Sequence, residues 1–136
     1  MELMNAMKIS AAGMKAQGLR LRVVSENVAN ADSVGKTQGE DPYRRKTVTF
    51  KNVFDRSMNA DMVNVSKIGR DTSDFKLAYE PYHPLADGRG YIKRPNVNTM
   101  IELMDMREAQ RSYEANLGII DMSKSMIQRT VDLLRA

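Results

Sequence analysis

The sequence predicts a mainly α protein with a small β insert. Long N- and C-terminal helices pair as an antiparallel coiled-coil hairpin, and an irregular β-hairpin and loop segment lies between them. Three observations carry this prediction. Apolar residues recur at heptad spacing towards both chain ends. All 4 prolines fall between them, at Pro42, Pro81, Pro84 and Pro95. Short alternating runs rich in β-branched and aromatic residues occupy the same middle stretch. The 136 residues therefore divide into an N-terminal heptad helix over 1–31, a loop and small β segment over 32–97, and a C-terminal heptad helix over 98–136. That length suits one domain rather than two.

In the first segment Met7, Met14, Leu21 and Val28 recur every seven residues, and the row three before each runs Met4, Ala11, Gly18 and Ser25. This reads as a seam with one bulky row and one row of mainly small residues. Gly13 and Gly18 each cost about 1 kcal/mol of helix propensity relative to Ala. Close approach of another backbone along that face would offset the cost. At 1.5 Å per residue such a helix spans roughly 40 Å.

The middle segment carries turn chemistry. Asp41-Pro42 and Asp87-Gly88 read as turns. Thr47–Phe50 alternates as a short strand, as do Met62–Ile68 and Phe75–Tyr79, with the stretch from Gly69 to Ser73 expected as the hairpin connection between the last two. The segment is poor in large apolar residues for a self-sufficient sheet.

From Asn98 the helical pattern returns. Thr99 with Glu102 fits a capping box, and Asn98 is an equally good N-cap. The seam runs Leu103, Met106, Gln110, Tyr113, Leu117, Ile120, Lys124, Ile127, Val131 and Leu134, broken only by Gln110 and Lys124. A continuous helix of roughly 50 Å follows. Outside these seams, Ile9, Ala16, Leu19 and Val23 on the first helix, and Ile101, Met104 and Ile119 on the last, form a second apolar stripe on each. A helix with two stripes belongs in a multi-helix layer, which one copy of the chain does not supply. The other reading is a self-contained bundle with loose surface patterning.

Composition narrows the function classes. The chain has no Cys and no Trp, one His, 11 Met and 6% aromatic residues. Disulfides, thiolate metal sites and a Cys nucleophile are excluded. His83 alone serves no site that needs two imidazoles, and between Tyr82 and Pro84 it reads as loop packing. No metal ligand set and no phosphate-binding Gly loop occur, so no catalytic, cofactor or metal residue is assigned and no cofactor is expected. Arg44-Arg45-Lys46 is a short basic run that reads as a solvated strand edge or a protein-contact patch. The pairs Arg111/Glu114 and Asp121/Lys124 are spaced to support the helix. No stretch has the roughly 18 apolar residues of a membrane span, and Glu2, Lys8 and Lys15 do not fit a Sec-type signal. The net charge of +4 leaves a basic nucleic-acid binder as an alternative, testable by salt dependence. A cytoplasmic coiled-coil adapter or secretion chaperone is a further one.

The stretch Asn27-Val28-Ala29-Asn30-Ala31-Asp32-Ser33-Val34-Gly35 resembles the N-A-N-x-x-T-x-G segment that closes the N-terminal helix in bacterial flagellar rod and hook proteins, with Ser33 in place of the commoner Thr. The stretches from Asp41 to Lys46, His83 to Tyr91 and Pro95 to Asn98, together with Met104-Asp105-Met106 and the run from Arg111 to Leu117, resemble proximal members of that family in the same order. The resemblance implies a non-enzymatic structural subunit of the basal-body rod, exported unfolded by the flagellar type III apparatus without a cleaved Sec signal. It implies a location in the rod across the cell envelope and helical assembly through the terminal helices. The implied partners are further copies of itself, rod proteins of the FlgB, FlgF and FlgG types, and FliE. Nucleic acid is not among them, nor is a membrane span. The expected assembly residues are Met7, Ala11, Met14, Gly18, Leu21, Asn27, Val28 and Asn30 on the first helix. On the last they are Leu103, Met106, Tyr113, Leu117, Ile120, Ile127, Val131 and Leu134.

Overall fold

A computed structural model describes residues 2–136. The order among the described residues is α1 (Glu2–Ala29), β1 (Lys46–Asp55), β2 (Ala60–Arg70), β3 (Lys76–Tyr79), β4 (Tyr91–Arg94) and α2 (Thr99–Arg135). The mainly α architecture with a small β insert is as the sequence predicts.

The two helices run antiparallel. Asn27 of α1 meets Glu102 of α2, and two heptads further along each helix Gly13 faces Asn116. A Cβ on Gly13 would lie 2.8 Å from the Asn116 amide nitrogen, so this glycine lets the helices approach. With 37 residues against 28, α2 outruns the start of α1 by roughly two turns.

The seam between them differs from the one expected. On α1 it buries Ser10, Gly13, Ala16, Val23, Val24 and Asn27; on α2, Glu102, Ala109 and Ser123 are the residues buried among those described. Met106, Tyr113, Ile120 and Ile127 flank it, half-buried. The companion row Leu103, Leu117 and Val131 stays outside, each 41% exposed, and Glu102, Ala109, Asn116 and Ser123 take its place. Likewise Met7, Met14, Leu21 and Val28 lie half-buried on a flank of α1, while Met4, Ala11 and Ser25 are exposed. Neighbouring rows on a helix are about 100° apart, and a row of small and polar residues admits a closer partner than a row of Leu. Gly13 makes that close approach. Gly18 does not, since its Cβ position has no neighbour within 4 Å.

The insert also pairs differently. β1 and β2 form one antiparallel hairpin, from Lys46↔Arg70 to Asp55↔Ala60, with an irregularity between Thr49 and Phe50. Its turn is set by Asp55, which accepts from the Ser57 N–H and hydroxyl, and by Asn59 at φ 50°. The hairpin therefore closes before Met62, and the stretch from Gly69 to Ser73 does not join β2 to β3 as a hairpin. There the Asp71 N–H donates to the Arg45 carbonyl, and Asp71 folds back on Ser73. β3 pairs instead with β4, Lys76↔Arg94 to Tyr79↔Tyr91. In the loop between them Asp87 accepts from Arg89 and Tyr91, and Gly90 sits at φ 84°, where a Cβ would press on Tyr79 and Pro81.

α2 begins at Asn98, whose side chain accepts from the Met100 N–H. The capping box does not form, because the Glu102 carboxylate turns inward. Among the described residues no helix is long and apolar enough to cross a membrane.

Candidate assembly interface and its polar hub

Where α1 ends, α2 begins and β1 starts, the side chains meet in a polar hub. Asn27, 1% exposed, donates to the Lys46 carbonyl at 2.9 Å and to Glu102 at 3.0 Å. Its oxygen accepts from the Tyr43 hydroxyl at 2.8 Å and the Lys46 N–H at 2.9 Å. One primary amide thus uses its full hydrogen-bonding capacity on three segments. Glu102, also 1% exposed, takes the Arg45 guanidinium on its other oxygen. Arg45 reaches on to Asp71 and Asp105, at 3.6 and 3.8 Å, and Arg20 approaches Asp105 at 3.4 Å. A second asparagine, Asn96, accepts from the Arg45 N–H at 2.8 Å and donates to Ser73. Arg44 lies over the Phe75 ring at 4.2 Å.

Arg44, Arg45 and Lys46 are therefore an internal clamp and not a solvated edge. Sequence reasoning missed this because a basic triplet shows nothing of the acids it meets; Glu26 comes from α1, Asp71 from the stretch after β2, and Glu102 and Asp105 from the start of α2. The motif after α1 is explained locally. Asn30 donates to the Glu26 carbonyl, and the Ser33 hydroxyl donates to the Asn30 carbonyl, a bond that Thr would also make.

The electrostatics follow. The Lys46 ammonium, at 2.6 Å, holds the Glu26 carboxyl below its usual range. Burial pushes the Tyr43 hydroxyl up, and the nearby Glu26 and Glu102 carboxylates add to it. Burial, the largest single influence, works against the charged form of Arg45, but the Glu102 hydrogen bond and the Glu102, Asp71 and Asp105 charges together outweigh it and the net direction is upward. The Ser73 N–H holds Asp71 down.

Away from the hub, the faces singled out in the sequence are open. Leu103, Leu117, Val131 and Leu134 on α2 are exposed, as are Met100, Met104 and Met122. On α1, Ala11 is exposed and Gly18 is unopposed. Met7, Met14, Leu21, Val28, Met106, Tyr113, Ile120 and Ile127 lie between, half-buried. Asn27 and Asn30 are spent inside the chain. Arg111/Glu114 and Asp121/Lys124 close no ion pair among the described residues. His83 accepts from the Leu85 N–H at 3.1 Å, a packing role. No cluster of three metal-ligating His, Cys, Asp or Glu side chains occurs among the described residues.

The helical hairpin leaves large apolar side chains of α2 uncovered, and residues 89–133 match the family described as flagellar basal body rod FlgEFG protein C-terminal. The chain is 51% identical over 131 residues to the flagellar basal-body rod protein FlgC of Agrobacterium fabrum, covering 96% of this chain and 94% of that one. It is 39% identical over 133 residues to FlgC of Salmonella typhimurium, 98% of each chain, and 41% identical over 133 residues to that of Aquifex aeolicus, 97% of each. The chain belongs to the FlgC family of flagellar basal-body rod proteins.

Proposed function

We propose that this chain is a non-enzymatic subunit of the proximal rod that polymerises helically through its terminal helices and transmits torque. The observation that carries the reading is the state of α2. Among the described residues three of its 37 are buried, while eleven large apolar side chains on it are exposed. Large apolar side chains left exposed in this number point to an interface. The hub holds α1 and α2 in register at one end, which presents the outer rows as fixed ridges. Stiff helices locked to neighbours transmit twist, and a non-closing heterologous contact makes a tube instead of a ring.

The assembly residues are the open or half-open rows named above, with Asn27 and Asn30 acting through the alignment of α1. The neighbours are further copies, rod proteins of the FlgB, FlgF and FlgG types, and FliE at the base. The chain reaches them through the flagellar type III export apparatus without a cleaved Sec signal and resides in the rod across the periplasm. It has no nucleic-acid partner, and the charge of +4 is spread over a mixed surface. Replacing Leu117 with Asp tests this, because that side chain is exposed in the single chain. The variant folds, leaves the cell and is lost from the rod, so swimming stops. Normal swimming, or retention of the wild-type chain in the cytoplasm, overturns the proposal.

A further inference from the structure

We infer that the valley between α1 and the β1–β2 hairpin receives the Leu103–Leu117 face of α2 from a second copy of this chain. This rests on the rod-subunit reading and names a contact that reading leaves open. The valley encloses about 610 Å³. Its floor is small at Ala12 and Gly18, its walls include Leu19 and Val65, and Lys15 and Arg22 stand at its rim. The chain does not fill it at Gly18, where an added Cβ meets no atom within 4 Å. A helical glycine costs about 1 kcal/mol relative to Ala, and no contact in the single chain requires this one.

Charge selects the occupant. Lys8, Lys15 and Arg22 repeat every seven residues along the exposed side of α1, and among the described residues Lys8 and Lys15 close no ion pair. On α2, Leu103 and Leu117 form an exposed ridge; Glu114 and Asp121, also seven apart and exposed, edge it at Leu117, while Arg107 stands one turn from Leu103 and Lys124 one heptad beyond Leu117. A bulky ridge with an acidic edge complements a small-floored valley with a basic rim. The other open flank of α2, through Met104 and Met122, is edged by Arg111 and Arg129, which would set like charges against Lys15 and Arg22, while its one acid, Glu108, turns to Arg20 of the same chain at 3.6 Å. The contact joins different faces of two copies, so it is heterologous and propagates.

The absence of native Cys makes cross-linking clean. The Gly13–Asn116 contact sets Gly18 level with Arg111 in the same chain, so Leu117 is about 9 Å further along the axis at 1.5 Å per residue. That alone exceeds the Cα separation of about 7 Å that a disulfide tolerates. A bond between Gly18→Cys and Leu117→Cys is therefore intermolecular. Mild oxidation of motile cells should give covalent multiples of the chain in isolated basal bodies, at least tenfold more than Gly18→Cys with Met104→Cys. Lys15→Cys repeats the test without altering the glycine. Lys15→Glu should impair swimming, and Asp121→Lys in the same chain should restore it. No multiples, equal yields from both pairs, or an adduct with a different protein overturns the inference. If the chain is in basal bodies but unlinked, the contact alone is wrong; if it is absent from them, the rod reading is wrong.

Discussion

Arg45→Met isolates the Glu102 carboxylate in the interior, and its cost measures what the hub is worth. Glu102 is 1% exposed and shares its two oxygens between Arg45 and Asn27. Removing the cation leaves a charged group with one neutral donor, and breaking a buried pair in this way costs about 3–5 kcal/mol. Domains of this size have a total stability of about 5–15 kcal/mol, so the loss is a large share of the whole. It corresponds to a fall in Tm of roughly 10–20 °C. The pair Lys93–Asp41 serves as the internal control. It closes at 2.9 Å, but its side chains are 49% and 61% exposed. Lys93→Met should cost under about 1 kcal/mol. Urea unfolding followed by circular dichroism at 222 nm reads both variants. A loss for Arg45→Met no larger than that for Lys93→Met would refute the argument that the hub holds the helices together.

Gly13 and Gly18 should respond differently in the isolated chain. Gly13→Ala puts a methyl group against the Asn116 side chain, whose displacement offsets the helix-propensity gain of about 1 kcal/mol and leaves stability near that of the wild type, whereas Gly18→Ala meets open space and should stabilise by about 0.5–1 kcal/mol; thermal melts of both check which of them faces the partner helix. Asn98→Ala removes the cap on the Met100 N–H and should cost about 1 kcal/mol, read by the same melts. Stability should also fall at both pH extremes. Glu26, Asp41, Asp71 and Asp87 have lowered folded values, so their contribution is present above about pH 4 and is lost as pH drops through those values. The raised Tyr43 value works at the other end, where stability present below about pH 10 is lost as pH rises towards it. A Tm profile flat from pH 2 to pH 11 would contradict these shifts.

The helices and their ends were legible because apolar periodicity and a cap residue are local signals. Asn98 shows how local: its side chain needs only the next turn. The pairing of β3 with β4 was not, since four-residue strands carry little pattern and the Asp87–Gly90 turn that joins them lies inside a Pro-rich loop. The β1–β2 turn was hidden for a different reason. Asp55, Ser57 and Asn59 build it without a Gly or Pro to mark it.

The seam is the instructive case. Apolar spacing picked Leu103 and Leu117 as contacts, and these are the residues the single chain leaves outside. Glu102, Ala109, Asn116 and Ser123 hold the inner position, and two of them are recognisable as interior only once Arg45 and Gly13 are placed beside them. The helices bury mainly small and polar residues, with Val23 and Val24, against each other and leave Leu103 and Leu117 outside, the arrangement that the proposed assembly would use. The shortage of large aromatic residues in the sequence fits the same picture.

The most direct test of that picture is fractionation of flagellated cells carrying the wild-type chain or its Leu117→Asp variant. The wild-type chain should co-purify with basal bodies, and the variant should be secreted, should melt within about 0.5 kcal/mol of the wild type and should be missing from them. A wild-type chain found only in the cytoplasm, or a variant that enters the rod as well as the wild type does, would contradict assembly through the exposed face of α2.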